Sequence, residues 1–333
     1  MYRTVQFVEQ LQLAGAFLGE SGDQYGRLSL ILCDNVVELL AHEQCEYQIV
    51  RDSRPYIGGK LSAADKRDAA GQKFAPKVNL LVRTGDVTES ERDFATRAHT
   101  LRNECYHTAT AHSDVAWAVA WEYHELACDL FYRLRPWAYV IEGKVPCSDA
   151  AKRILAGAGL WGKVLPGVES AMPKLVEALR QTKPERDEPF AKVLSTASGR
   201  RFDELEDTAV FLARDGLESD DLDAAIKQAF FLSQVDYARL RDGVDVQTDV
   251  GFREFHRRLD AERAAFRSPV RMSDIRRWAR AGQALSAAKD RTKALVKYVD
   301  LLRESEDAVE VLHTAGRQLD EHIQLQIDIA RGK

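Results

Sequence analysis

Apolar residues recur at intervals of three and four through almost the whole chain, and alternating apolar and polar runs are rare. This period places apolar side chains on one face of a helix, so the sequence predicts an all-α fold. One early helix carries its apolar face on Leu28, Ile31/Leu32, Val36 and Leu39/Leu40. A later and longer one carries Val115, Val119, Tyr123, Leu126, Leu130 and Leu134, until Pro136 interrupts the pattern.

The segment 143–147 contains Gly and Pro and is followed by Ser148-Asp149, which is typical of a helix start. We therefore place a domain boundary here, with one helical bundle over residues 1–143 and a second helical domain over residues 144–333. In the second domain the clearer helices are expected at 203–213, 220–240, 250–266 and 273–302. The last of these is expected to form a long hairpin with a return arm that carries Leu312, Leu319, Ile323 and Ile327.

Composition limits the classes of function. With 47 basic and 52 acidic residues the net charge is −5, so no global positive field favours nucleic acid, and any such partner requires a local patch. No run of twenty apolar residues and no apolar signal-peptide core occurs, which favours a cytoplasmic protein without a membrane span. The five scattered cysteines form no CxxC pair, which indicates reduced thiols and no zinc site.

A glycine-rich stretch over residues 157–164 has the spacing of a phosphate-binding loop. Val164 stands where a Ser or Thr hydroxyl would hold magnesium, and no strand pattern precedes the stretch. An ordinary turn after a short helix is the favoured interpretation, which argues against a nucleotide-driven enzyme.

The most informative motif lies on a helix with clear boundary signals. Residues 74–83 form a short helical pattern that Gly85 ends, and Thr88-Glu89-Ser90-Glu91 is a capping box for the next helix. That helix carries Arg102, Asn103 and His107 within two turns. Ser113-Asp114 can cap the following helix, so His107 is expected near the C-terminal end of its own.

These side chains suit RNA cleavage. RNA supplies its own nucleophile, the ribose 2′-OH, so a protein need only transfer protons and stabilise the phosphorane. The His107 imidazole can transfer protons near neutral pH, and the forked, permanently charged Arg102 guanidinium can bind phosphate. On a straight helix the two residues lie about 140° apart and about 7.5 Å along the axis. Asn103 can orient either group or hold a phosphate oxygen, and the scheme needs no metal or other cofactor.

The order of these elements resembles the HEPN superfamily, helical domains many of which are ribonucleases in toxin–antitoxin, phage-defence and RNA-processing systems. The resemblance spans residues 21–135 and does not extend to the second half of the chain. Its features are an early apolar helix with Asp34, Asn35 and Glu38, the segment 74–81, Gly85, a capped helix reading Arg-Asn-x-x-x-His, and a long amphipathic helix.

The resemblance implies that Arg102 and His107 are catalytic and that Asn103 supports them. It also implies a homodimer in which two motifs face one cleft, and products with 2′,3′-cyclic phosphate and 5′-hydroxyl ends. One branch of the family carries a tyrosine two residues after the histidine. Ala109 stands at that position here, so control through modification of such a tyrosine is not supported.

Four further residues near the motif have two interpretations each. Asp34 and Glu38, one turn apart, either reach the cleft from the early helix or form an exposed polar stripe opposite its apolar face. Glu104 either polarises the imidazole or is solvated on the helix surface. His112 is either a second proton carrier or a loop histidine exposed to solvent.

The second half contains a local basic segment. Residues 252–280 include nine arginines, no lysine and four acidic residues. The RNA-binding candidates are Arg253, Arg257, Arg258, Arg276 and Arg277. The alternative is a solvated helix face that pairs these arginines with nearby acidic residues.

The sequence therefore predicts a metal-independent endoribonuclease, a toxin or antiviral effector that acts on RNA as a homodimer and has an antitoxin or defence partner. The second domain would recognise RNA, bind a regulator or sense a trigger. A non-catalytic helical scaffold that uses the HEPN-like half only for dimerisation is the alternative from another class. A DNA-binding regulator is weaker, because no helix-turn-helix of suitable spacing is evident and the net charge is acidic.

Overall fold

A computed structural model describes residues 2–54, 56, 61–107, 113–134, 146–161 and 168–331. These residues form fourteen α-helices, one π-helical segment and one 3₁₀ turn, and no β-strand occurs among them. The prediction of an all-α fold is confirmed. The chain divides into two compact units, Met1–Leu194 with Ala287–Val299 and Ser195–Ser286 with Asp300–Lys333.

The helices in the first part of the chain all belong to the first unit. They are α1 (Tyr2–Leu18), α2 (Asp23–Asp52), α3 (Ala63–Ala70), α4 (Phe74–Thr84), α5 (Glu89–His107), α6 (Ser113–Leu134), α7 (Asp149–Gly157) and α8 (Val168–Arg180). None of the described helices is both long enough and apolar enough to cross a lipid bilayer.

The second unit is built from the remaining elements, of which α9 and α14 begin in the first unit. They are α9 (Phe190–Phe211), a π-helical segment (Leu212–Gly216), α10 (Leu222–Gln234), α11 (Tyr237–Arg241), α12 (Asp249–Ala265), α13 (Met272–Gln283), a 3₁₀ turn (Ala284–Ala287) and α14 (Arg291–Ala330).

Helix α2 lies at the centre of the first unit and packs against α1, α3, α4, α5 and α6. It approaches α6 closely at Gly26, where an added Cβ would lie 2.8 Å from the backbone nitrogen of Trp117. Because α2 is surrounded, it buries residues on several faces, including Leu30, Cys33 and Asp34.

The buried residues of α2 differ from the apolar face that the sequence predicts. Leu28 and Leu39 are expected to be buried but are 41% and 37% exposed, whereas Asp34 is 0% exposed. The interpretation of Asp34 as part of an exposed polar stripe is therefore wrong, because neighbouring helices cover that face of α2 as well.

The local signals around α5 act as predicted. Gly85 ends α4 in the left-handed region at φ 79°. Thr88 and Glu91 then form the expected capping box, in which Thr88 Oγ1 accepts from the Glu91 backbone N–H and a Glu91 carboxylate oxygen accepts from the Thr88 N–H. Together these signals determine where α5 begins and hence where Arg102 falls on it.

The predicted boundary between residues 143 and 144 lies outside the described residues and stays a prediction. Among the described residues, α7 and α8 pack against α1 and α6 in the first unit. One expectation about the second half differs from the structure. The hairpin with a return arm after residue 302 is wrong, because Arg291–Ala330 is one continuous helix. The break lies earlier, at the 3₁₀ turn, and Asp290 Oδ1 then accepts from the backbone N–H groups of Thr292 and Lys293.

Candidate active site around Arg102

The side chain of Arg102 extends from α5 toward two carboxylates on α2. Its Nε lies 3.0 Å from Oδ2 of Asp34, and its Nη2 lies 3.9 Å from Oε2 of Glu38. Nη1 donates a hydrogen bond of 2.8 Å to the side-chain oxygen of Asn103. Nε and the Asp34 carboxylate form an ion pair, but their geometry is not that of a hydrogen bond. These contacts hold the guanidinium while leaving the side chain 23% exposed.

Asp34 is the centre of the cluster. A buried carboxylate is costly unless it is paired and hydrogen-bonded, and Asp34 has three partners from two helices. Besides Arg102, Nδ1 of His99 lies 3.0 Å from Oδ2 and 3.1 Å from Oδ1. Tyr123 on α6 donates its hydroxyl to Oδ1 at 3.0 Å. The carboxylate therefore connects α2, α5 and α6.

Tyr123 remains a donor because of its environment. It is fully buried, and this burial, with the nearby Asp34 charge, raises the pKa of its hydroxyl well above the ordinary value near 10. The phenol therefore keeps its proton and donates a hydrogen bond to Asp34. His99 is fixed on its other side by Phe74, whose ring stacks on the imidazole at 4.7 Å between centroids.

Sequence reasoning missed His99 and Tyr123. His99 precedes Arg102 by three residues, so on a helix both lie on the same face. Tyr123 was assigned only to the apolar face of α6, and no sequence signal distinguishes it from the other core residues. Asn103 contacts the Arg102 guanidinium through its side-chain oxygen, and its supporting role stays a prediction.

The remaining residues predicted for the site are His107, His112, Glu104 and Glu38. His107 is the last residue of α5, but its side chain lies outside the described residues, as does the whole of His112. Glu104 is exposed on α5. Glu38 is half-buried beside Arg102, so the structure brings both α2 carboxylates to the motif.

One group of side chains could also hold a metal ion. The candidate ligand atoms of Asp34, Glu38 and His99 all lie within 4.8 Å of one another. Two carboxylates and an imidazole suit Mn²⁺, Fe²⁺ or Zn²⁺. However, the Arg102 guanidinium already contacts both carboxylates, so a metal ion would have to displace it.

The arginines proposed for RNA binding lie in the second unit, and all five contact acidic side chains or backbone carbonyls. Arg257 and Arg258 both donate to Glu254, and these hydrogen bonds lower the pKa of that carboxyl to about 2. The other contacts are Arg276 to Glu206, Arg277 to Asp274, and Arg253 to the Asp249 carbonyl. This pairing is the pattern expected of a solvated helix face, and it also leaves exposed guanidinium groups at the surface.

Comparison of the chain with protein-family models, with curated proteins and with solved structures found no match.

Proposed function

We propose that this chain is an endoribonuclease of HEPN type that cleaves RNA without a metal. Arg102 would stabilise the phosphorane, His107 would transfer protons, and Asn103 would orient Arg102. The observation that carries the proposal is the anchoring of a partly exposed guanidinium by the fully buried Asp34. A guanidinium held in place before substrate binds loses less freedom in the transition state.

The contacts of Arg102 leave part of the guanidinium available to substrate. Asp34 holds Nε at 3.0 Å, whereas Nη2 lies 3.9 Å from Glu38, too far for a strong hydrogen bond. Nη2 can therefore exchange Glu38 for a phosphate oxygen while Nε keeps its contact with Asp34. Nη2 would then give the phosphate one charge-assisted hydrogen bond.

The reaction proceeds by transfer within the RNA. The ribose 2′-OH gives its proton to His107 and attacks phosphorus, the bond from phosphorus to the 5′-oxygen breaks, and protonated His107 returns a proton to that oxygen. The products end in a 2′,3′-cyclic phosphate and a 5′-hydroxyl.

The test measures cleavage of mixed RNA by the purified protein in EDTA. We expect at least a hundredfold loss in Arg102→Gln and in His107→Ala, and cyclic-phosphate ends on the wild-type products. Arg317→Ala and His322→Ala on the exposed face of α14 are matched controls that should keep full activity. Circular dichroism establishes that each variant is folded. Cleavage that survives both substitutions, or that requires a divalent cation, overturns the mechanism.

A non-catalytic scaffold is the second candidate, and the charges around Arg102 favour it. Two carboxylates face one guanidinium, so these three side chains together have a formal charge of about −1, which repels phosphate. Under this alternative, Arg102 and Asp34 form a structural ion pair. It predicts that Arg102→Gln lowers stability but that no wild-type preparation cleaves RNA.

We also propose that the protein acts as a homodimer and serves cell defence, with an antitoxin or defence partner. These proposals rest on the resemblance of residues 21–135 to HEPN domains. Light scattering after size-exclusion chromatography tests the dimer, and a monomer at every concentration that retains ribonuclease activity contradicts it.

A further inference from the structure

The second unit contains a cavity of about 360 Å³ that lies apart from the Arg102 cluster in sequence. Its walls come from the π-helical segment, α10 and α14. Leu212, Leu232 and Leu319 are among the apolar side chains that line it. The volume falls within the range of about 300–1,000 Å³ that is usual for small-molecule sites.

The backbone beside this cavity is unusual in two ways. Leu212–Gly216 is the single π-helical segment in the described part of the chain, and such segments are rare because they widen the turn and weaken its packing. Two residues later, Glu218 adopts φ 49°, the one positive φ of a non-glycine residue in the described ranges. Such a conformation is costly unless the surroundings enforce it.

Helix α14 approaches both this segment and the end of α9 closely. A Cβ added to Gly216 would lie 3.2 Å from Cδ2 of Leu319, and one added to Gly316 would lie 3.1 Å from Cγ2 of Thr208. The walls are therefore in close contact at one edge. The cavity opens to solvent at another edge, because Leu217 and Leu232 in its lining are 40% and 44% exposed.

The chemistry of the lining defines the ligand. Every side chain that lines the cavity is uncharged. The polar ones are Gln228, Ser233, Thr314 and Gln318. Ser233 donates to the Phe230 carbonyl, whereas the side chains of Gln228, Thr314 and Gln318 make no hydrogen bond to another described residue. An ion would therefore gain no charged partner from this lining, which favours a neutral ligand.

We propose that this cavity binds a neutral, mainly apolar small molecule that carries one or two hydrogen-bonding groups. The leucines bury the apolar body, and the amides of Gln228 and Gln318 with the Thr314 hydroxyl orient the polar groups. This site is independent of the proposed ribonuclease activity, so either proposal can fail without the other.

The test uses 1-aminoanthracene, a neutral fluorescent probe with an apolar ring system and one amino donor. We expect saturable 1:1 binding to the full-length protein with a blue shift in emission. Ala315→Leu places a larger side chain in the cavity and should weaken binding at least tenfold. Ala281→Leu, an equal substitution on the exposed face of α13, should leave the affinity unchanged.

Three further measurements separate specific binding from non-specific hydrophobic binding and from misfolding. Gln228→Leu keeps the cavity shape but removes an amide, and should weaken binding by about fivefold, the value of one hydrogen bond. The probe should raise the melting temperature of wild-type protein but not that of Ala315→Leu. Anthracene-2-carboxylate, which is anionic, should bind at least tenfold more weakly than the neutral probe.

Equal affinities in the wild type, Ala315→Leu and Gln228→Leu would overturn the proposal, as would the absence of saturable binding. Tight binding of the anionic analogue would show that the site does not select neutral ligands, which also contradicts the proposal.

Discussion

Nε of Arg102 lies 3.0 Å from a carboxylate oxygen of Asp34, a residue with no solvent exposure on the central helix α2. This pair joins the motif helix α5 to the centre of the first unit. Every interpretation of the site depends on it, because it either prepares Arg102 for a phosphate group or serves only to stabilise the fold. Its contribution to stability can be measured in either case.

Removal of the Asp34 carboxylate should destabilise the protein strongly. In Asp34→Ala, Arg102, His99 and Tyr123 all lose their shared partner, so we expect the free energy of unfolding to fall by about 3–5 kcal/mol. Glu38→Ala is the matched control on the same helix. Glu38 is half-exposed and 3.9 Å from Nη2, so its removal should cost less than about 1 kcal/mol. Urea unfolding measures both values, and equal losses would contradict this account.

His124 should make stability depend on pH. It is fully buried, and this burial lowers its pKa to about 4, while Nε2 lies 2.9 Å from the Leu11 carbonyl oxygen. The unfolded chain binds the proton near pH 6.5. Stability contributed by neutral His124 is therefore complete above about pH 6.5 and is lost as the pH falls toward 4.

The loss should reach about 3 kcal/mol between these limits. Urea unfolding at pH 7, 5.5 and 4.5 measures it in the wild type and in His124→Gln, which cannot take up the proton. The difference between the two proteins should shrink as the pH falls. A constant difference would show that His124 does not titrate in the unfolding reaction.

The cysteines should differ sharply in reactivity. Four of the five are buried and Cys147 is partly exposed. Burial raises the pKa of Cys105 to about 11 and that of Cys45 to about 12, and the thiolate is the reactive form. At pH 8 we expect Ellman's reagent to modify one thiol quickly and the others only after unfolding. Cys147→Ser should abolish the fast phase, and a fast phase that remains would contradict the burial of the others.

Two glycines in helices should respond oppositely to alanine. A Cβ at Gly26 would lie 2.8 Å from the Trp117 backbone nitrogen, so Gly26→Ala should cost about 2 kcal/mol or more. Gly199, on α9, has open space around the same position, and Gly199→Ala should stabilise the protein by about 0.5–1 kcal/mol. Thermal unfolding of both variants tests the close approach of α2 to α6. A neutral Gly26→Ala would contradict it.

Some features of this protein were predictable from the sequence because they depend on neighbouring residues. The helical period predicted the all-α class, Gly85 ends α4 through its own backbone conformation, and the Thr88 capping box lies within four residues. Such signals need no distant partner. The same local reasoning misplaced the break near the C-terminal helix, where the stretch 284–290 contains neither Gly nor Pro, the residues that commonly mark a turn.

The candidate site depends on contacts between distant parts of the chain. His99 meets Asp34 across 65 positions and Tyr123 meets it across 89, so neither pair has a local spacing that a sequence reveals. The period of α2 alone placed Asp34 on a polar face, and only the packing of several helices around α2 buries it. Helix formation depends on local backbone preferences, whereas the environment of a charge depends on which helices surround it, and only the tertiary structure decides that.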